Sequence, residues 1–207
     1  DATPIIAGNV SFYNESKNGA IPPSPIVSCL GRLKDVNKTV SMHFQNSDSV
    51  IIMVGERKDE LGGSVYYTLF DELGANVPKP NLKEVKNQVF ALTDCIDGGL
   101  VLSCHDIGDG GIASALAEMT FGKSIGCKVN IESDLSPAKI LFSETGGFVA
   151  EISRENVEKV QTCFSTHGLD VFEIGTTSGE SININEALDL PVLNAREAWT
   201  NGLRDKL

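Results

Sequence analysis

Residues 49–55 read SVIIMVG, with no polar residue between Val50 and Val54. A strand with one face in water alternates polar and apolar residues, so an unbroken apolar run marks a strand covered on both faces. Such a strand needs a layer on each side, and the chain from about residue 39 onward supplies them. GGSVYYTLFDEL predicts a short helix after its two glycines. NLKEVKNQVFALTDCI places Leu82, Val85, Val89, Leu92 and Ile96 at three- and four-residue spacing, which predicts an amphipathic helix of about four turns. LVLSCHD reads as another buried strand, and GGIASALAEMTF as a helix with Ile112, Ala115, Leu116 and Met119 on one face. CKVNI and GFVAEI read as strands on either side of SPAKILF, a short helix with Pro137 in its first turn. SRENVEKVQTCFSTHG is a helix with Ser153 as N-cap and Gly168 just past its end, DVFEIGTT and SININ are β-like, and NAREAWTNGLRDKL is a terminal helix. Strands alternating with helices predict a layered α/β domain over 39–207.

The first 38 residues follow another pattern. A strand-like run from Pro4 to Tyr13 is interrupted at Gly8-Asn9, and KNGAIPPSP leads to a second β-rich run, Ile26 to Leu33, ended by KDVNK. Two strands are too small a unit to fold alone, so these residues are expected to be the tail of a preceding domain. The chain begins with Asp1 and without a charged and apolar leader pattern, which adds the expectation of a piece of a longer polypeptide. An incomplete β unit also predicts self-association.

Composition narrows the function classes. Seventeen Lys and Arg against twenty-eight Asp and Glu leave a formal net charge of −11, which repels nucleic acid while leaving room for a local basic pocket. No run approaches the roughly 18 apolar residues of a membrane span. Five scattered cysteines with no C-x-x-C pair read as reduced thiols of a cytoplasmic protein.

Four stretches stand out as able to carry chemistry: GNVSFYNE (8–15), HDIGDGG (105–111), EMTFGKS (118–124) and FSETGGFV (142–149). GNVS, residues 8–11, offers a closely approachable backbone at Gly8, an amide oxygen at Asn9 and a hydroxyl at Ser11; hard oxygen donors of this kind suit magnesium alongside nucleotide phosphates, and a β-bulge or turn explains the same residues. HDIGDGG, residues 105–111, turns a strand into a helix through Asp109, Gly110 and Gly111. That turn is either an anion site at a helix N-terminus or a structural corner. His105 is either a general base or a hydrogen-bonded histidine at a strand end, and Glu144 either binds a hydroxyl-bearing ligand or belongs to an ordinary helix-to-strand turn.

In order, GNVSFYNE, PPSPIVSCLG, the apolar strand, HDIGDGGIASALAEM and FSETGGFVAEI resemble the C-terminal part of the phosphoribosylformylglycinamidine synthase family, in particular its short multi-subunit synthetase type, within the aminoimidazole ribonucleotide synthetase-related superfamily. The resemblance spans nearly the whole chain. It implies that residues 1–38 end a ferredoxin-like ATP-binding domain and that residues 39–207 are a complete α/β domain with a mixed sheet, of the C-terminal type.

The implied activity is an ATP-dependent C–N ligase of purine biosynthesis. It converts formylglycinamide ribonucleotide, ATP and glutamine-derived ammonia to formylglycinamidine ribonucleotide, ADP and phosphate. By resemblance Gly8 contacts ATP, Asn9 is a ligand of Mg2+ and Ser11 touches the ribonucleotide. The family's catalytic histidine lies in an earlier part of the full chain, so no catalytic residue is assigned here and this piece alone is expected to be inactive. Implied partners are a glutaminase subunit, a small bridging subunit and the remainder of its own chain. Where the other half of the duplicated family carries a substrate-binding E-S-Q stretch, this sequence has Glu144, Thr145 and Gly146, a departure that implies an altered, structural or empty site in this half. Two other readings stand beside this one: a non-catalytic, pseudo-symmetric assembly module of the same enzyme, and another synthetase of the superfamily.

Overall fold

A computed structural model describes residues 4–9, 14–21, 24 and 26–203. The chain divides into two compact units, Asp1–Lys34 and Asp35–Leu207. In the smaller unit β1 (Glu15–Ser16) and β2 (Gly19–Ala20) pair antiparallel as a short hairpin. The expected strand runs do not appear: residues 4–9 and 26–33 are exposed and unpaired, and residues 10–13 lie outside those described. β-rich composition makes no strand without a neighbouring ladder, and among the described residues neither run has one.

The larger unit is built on a mixed sheet. Its elements in chain order are β3 (Val50–Val54), α1 (Val65–Thr68), α2 (Leu82–Asp97), β4 (Val101–Asp106), α3 (Gly111–Thr120), β5 (Cys127–Val129), α4 (Pro137–Phe142), β6 (Phe148–Ile152), α5 (Val157–Thr166), β7 (Phe172–Thr177), β8 (Ser181–Ile184), β9 (Leu188–Pro191) and α6 (Val192–Asn201). The seven strands lie in the order β4-β6-β3-β7-β5-β8-β9, antiparallel except for the parallel β5–β8 pair. A turn at Val36–Lys38, tied to the end of α2 by Lys38 Nζ donating to Asp97 O at 2.8 Å, belongs with this unit.

β3 is central, and all five of its residues are buried. Ile51 and Met53 enter a cluster with α3, α4 and α6, whereas Val50, Ile52 and Val54 enter a second cluster with α2 and α5. The unbroken apolar run is thus the seam between two helical layers. Next to it, the fully buried Glu151 of β6 accepts from Gln45 N (2.7 Å), Asn46 N (2.9 Å) and Ser103 Oγ (2.9 Å), so its carboxyl oxygens are met by three donors.

Two helices differ from expectation in detail. α2 forms as predicted, and Asn81 caps it by accepting from Lys83 N and Glu84 N. Its buried face, however, is Gln88, Ala91, Leu92 and Cys95, while Leu82 is 79% exposed and Val85 and Val89 are exposed too. The period is right and the phase is off by about a quarter turn. Small residues decide it: Cys163 of α5 donates to Ala91 O at 3.6 Å, an approach that bulkier side chains on that face would block. α5 is preceded by a 3-10 turn at Arg154–Asn156, and Ser153 makes no side-chain cap bond. Gly168 does sit just past the helix end with φ +71°.

β9 is a strand the sequence reading missed. It pairs with β8 through a tight connection in which Asn185 and Glu186 both take positive φ. Asn185 also accepts from Ile131 N (2.7 Å) and donates to Ile131 O (2.8 Å), pinning that turn to the segment after β5. Among the described residues no helix is long and apolar enough to cross a membrane.

Candidate functional site

The strand-to-helix turn 106–111 and the loop 143–147 form a corner with the start of α1. β4 ends at Asp106, and Gly110 and Gly111 carry the chain into α3 with φ 76° and 68°. A Cβ on Gly111 would lie 2.5 Å from Leu141 O, so the end of α4 packs against a backbone that only glycine supplies. No side chain of the turn itself caps α3.

The cap comes from the other loop. Glu144 Oε1 accepts from Gly110 N and from Val65 N, each at 2.9 Å. The first N–H groups of a helix have no internal partner and carry the positive end of its dipole, so one carboxylate oxygen serves the starts of α3 and α1 together. A carboxylate of the protein itself thus stands at this helix N-terminus. Asp106 and Asp109 are exposed alongside, which makes the corner better suited to a donor or a cation than to a second anion.

Arg57, which follows β3, holds the same loop by other atoms. Its Nη2 donates to Gly146 O (2.6 Å) and its Nη1 to Ser143 O (3.3 Å), and Ser143 Oγ donates to Lys58 O (2.6 Å). Arg57 is only 7% exposed and makes no ion pair among the described residues. Burial lowers its pKa to about 10, against the opposing pull of the Glu60 charge. Ile107 N donating to Gly147 O at 2.9 Å closes the corner.

His105 has both ring nitrogens engaged, Nε2 with Glu118 Oε2 at 3.0 Å and Nδ1 with Asp106 O at 2.7 Å. It joins β4 to α3. Of the other predicted site residues, Gly8 and Asn9 belong to the smaller unit, where both are exposed and outside regular structure. Ser11 lies outside the described residues. No cluster of three or more His, Cys, Asp or Glu able to hold a metal occurs among the described residues. The exposed amide of Asn9 fits a single oxygen ligand of Mg2+, an ion that usually keeps waters and takes few protein ligands.

Sequence reasoning missed the bracing by Glu144 and Arg57. Glu144 stands 34 residues from Gly110 and 79 from Val65, separations at which no local pattern signals a bond. Arg57 gave no motif at all.

Over residues 46–184 the chain matches the family described as AIR synthase related protein, C-terminal domain. It is 34% identical over 211 residues to the phosphoribosylformylglycinamidine synthase subunit PurL of Methanothrix thermoacetophila, which covers 99% of this chain and 28% of that protein. To the subunit of the same name from Thermoplasma volcanium it is 38% identical over 208 residues, covering 97% and 27%. The chain thus spans little more than a quarter of the length of these relatives. Among solved structures, T. maritima PurL complexed with FGAR superposes with a TM-score of 0.67 at 20% identity, over 77% of this chain and 30% of that one, a likeness of fold.

Proposed function

The chain belongs to the AIR synthase related protein family, matching its C-terminal domain, and from that premise we propose that it is the C-terminal portion of the synthetase subunit of phosphoribosylformylglycinamidine synthase. One observation carries the reading: relatives of that name match 97–99% of the chain at 34–38% identity. The reaction is the ATP-dependent conversion of formylglycinamide ribonucleotide and glutamine-derived ammonia to formylglycinamidine ribonucleotide, ADP and phosphate. An amide oxygen is a poor leaving group; phosphorylating it gives an imidate-like phosphate that ammonia displaces. Solved T. maritima PurL complexes with FGAR and with ATP support these two substrates.

On this reading residues 1–38 end a ferredoxin-like domain and bring Gly8 to ATP and Ser11 to the ribonucleotide. Asn9 offers its amide oxygen to Mg2+, which when bound neutralises charge on the transferring phosphoryl group. Residues 39–207 form one wall of the enzyme. The partners are the rest of the polypeptide, a glutaminase subunit and a small bridging subunit, and the setting is the cytoplasm.

The assembly-module reading has its own support in the larger unit. Glu144 occupies the start of α3 where a ligand anion would bind, which fits a braced, non-catalytic corner. The test uses the full-length polypeptide that this reading implies, with Asn9→Ala and Ser11→Ala made separately and ammonia-dependent amidine formation assayed while Mg2+ is titrated. A raised Mg2+ requirement for the first and a raised substrate KM for the second are expected. Near-normal kinetics in both would leave the assembly-module reading.

A further inference from the structure

The two faces of the sheet are covered unequally. On the side of α2 and α5 the buried strand residues come from β3, β4 and β6, whereas Phe172 and Glu173 of β7 and Lys128 of β5 are exposed. Beside β7 lies a cavity of about 810 Å3, within the range of small-molecule sites. Two arginines, Arg57 and Arg154, and three glutamates, Glu56, Glu132 and Glu173, are among its lining residues.

Opposite charges that share a cavity ordinarily pair, yet none of these five forms an ion pair among the described residues. Glu173 Oε1 accepts only from the amide of Gln161, at 3.2 Å. Arg57 is the most telling. Two of its nitrogens hold the 143–147 loop, its Nε is buried with no hydrogen-bond partner, and the Glu60 charge acts on it from a distance without forming an ion pair. Burial of that charge already lowers its pKa to about 10. A buried charge without a direct ion pair is costly, so a ligand that supplies an anion there gains more than it would at the surface. Three carboxylates in the same lining oppose a multiply charged anion such as a phosphate ester. They favour a ligand that also brings a cation. Phe172, 38% exposed, adds an apolar surface for the body of such a molecule.

We propose that this cavity binds a free α-amino acid, whose carboxylate meets Arg57 and Arg154, whose ammonium meets the Glu56, Glu132 and Glu173 carboxylates, and whose side chain rests on Phe172. The inference stands on the charges of the cavity and does not depend on the family reading.

The experiment records amide NMR spectra of the chain with each proteinogenic L-amino acid in turn, in the millimolar range. At least one should shift the amides of Glu132, Phe172 and Glu173. Its deaminated acid and its carboxamide should each bind about tenfold more weakly or worse, because each lacks one charge-assisted contact. Arg154→Gln and Glu132→Gln alter exposed side chains, so folding is spared, and each should weaken binding by a similar factor. Arg57→Gln should abolish it where that variant folds. The proposal is overturned if no amino acid shifts these amides, if the shifts survive in the Arg154 and Glu132 variants, or if inorganic phosphate produces them equally well.

Discussion

Glu144 Oε1 lies 2.9 Å from Gly110 N, so a carboxylate from one loop caps the helix that begins in another. With Val65 N bound to the same oxygen, Glu144→Ala leaves two backbone N–H groups at helix starts, Gly110 N and Val65 N, without this acceptor. A stability loss of about 1–3 kcal/mol is expected in urea unfolding, with Glu144→Gln intermediate because it keeps an oxygen and loses the charge. An unchanged urea midpoint in both variants would refute the bracing role.

Gly111 and Gly168 share a backbone conformation and differ in surroundings. Both have positive φ, but a Cβ at Gly111 meets Leu141 O at 2.5 Å while one at Gly168 meets nothing within 4 Å. Gly168→Ala should cost about 1 kcal/mol for conformation alone. Gly111→Ala should cost about 2 kcal/mol more, since backbone must move. Paired thermal or chemical denaturation of the two variants measures the difference.

The phase of α2 makes a third expectation. Leu92 is 6% exposed and Leu82 is 79% exposed, so Leu92→Ala should cost about 2–4 kcal/mol and Leu82→Ala about 0.5 kcal/mol or less. Equal costs would mean that the helix buries the face carrying Leu82 and Val85 after all.

Cys127 is 1% exposed, and burial pushes its thiol up to about 12, with a backbone hydrogen bond from Asn183 pulling the other way. A pKa raised on folding gives a contribution to stability that is whole below the unfolded value of about 8.5 and is lost as pH rises through the folded one. Above pH 9 the unfolded thiol ionises while the folded one stays protonated. The stability gap between the native chain and Cys127→Ala should therefore shrink between pH 9 and 12, by up to about 1.4 kcal/mol per pH unit. A gap independent of pH across that window would contradict the shift. Thiol labelling near pH 8 should correspondingly find the exposed Cys29 first and the buried Cys95 and Cys127 last.

Much of the fold is legible because it rests on short-range pattern. The run Val50–Val54 announces a doubly covered strand, and Ile112, Ala115, Leu116 and Met119 mark the face that α3 does bury. Pro137 and Gly168 fall at a helix start and just past a helix end, where local sterics put them. The ordered motifs, read together, also point to the family that the chain matches over residues 46–184.

The rest was decided by tertiary contacts. Hydrophobic periodicity predicts that α2 is a helix, but its phase depends on where α5 approaches closest, and Ala91 and Cys95 win that place by being small. β-rich composition is present in Ile26–Leu33, yet a strand is a paired object and no ladder forms there among the described residues. The corner at Asp109, Gly110 and Gly111 shows the same division. Sequence alone established a glycine turn at a helix start, since positive φ and helix entry are local properties. Only folding brings Glu144 across 34 residues to Gly110, where its carboxylate accepts from the N–H at that helix start.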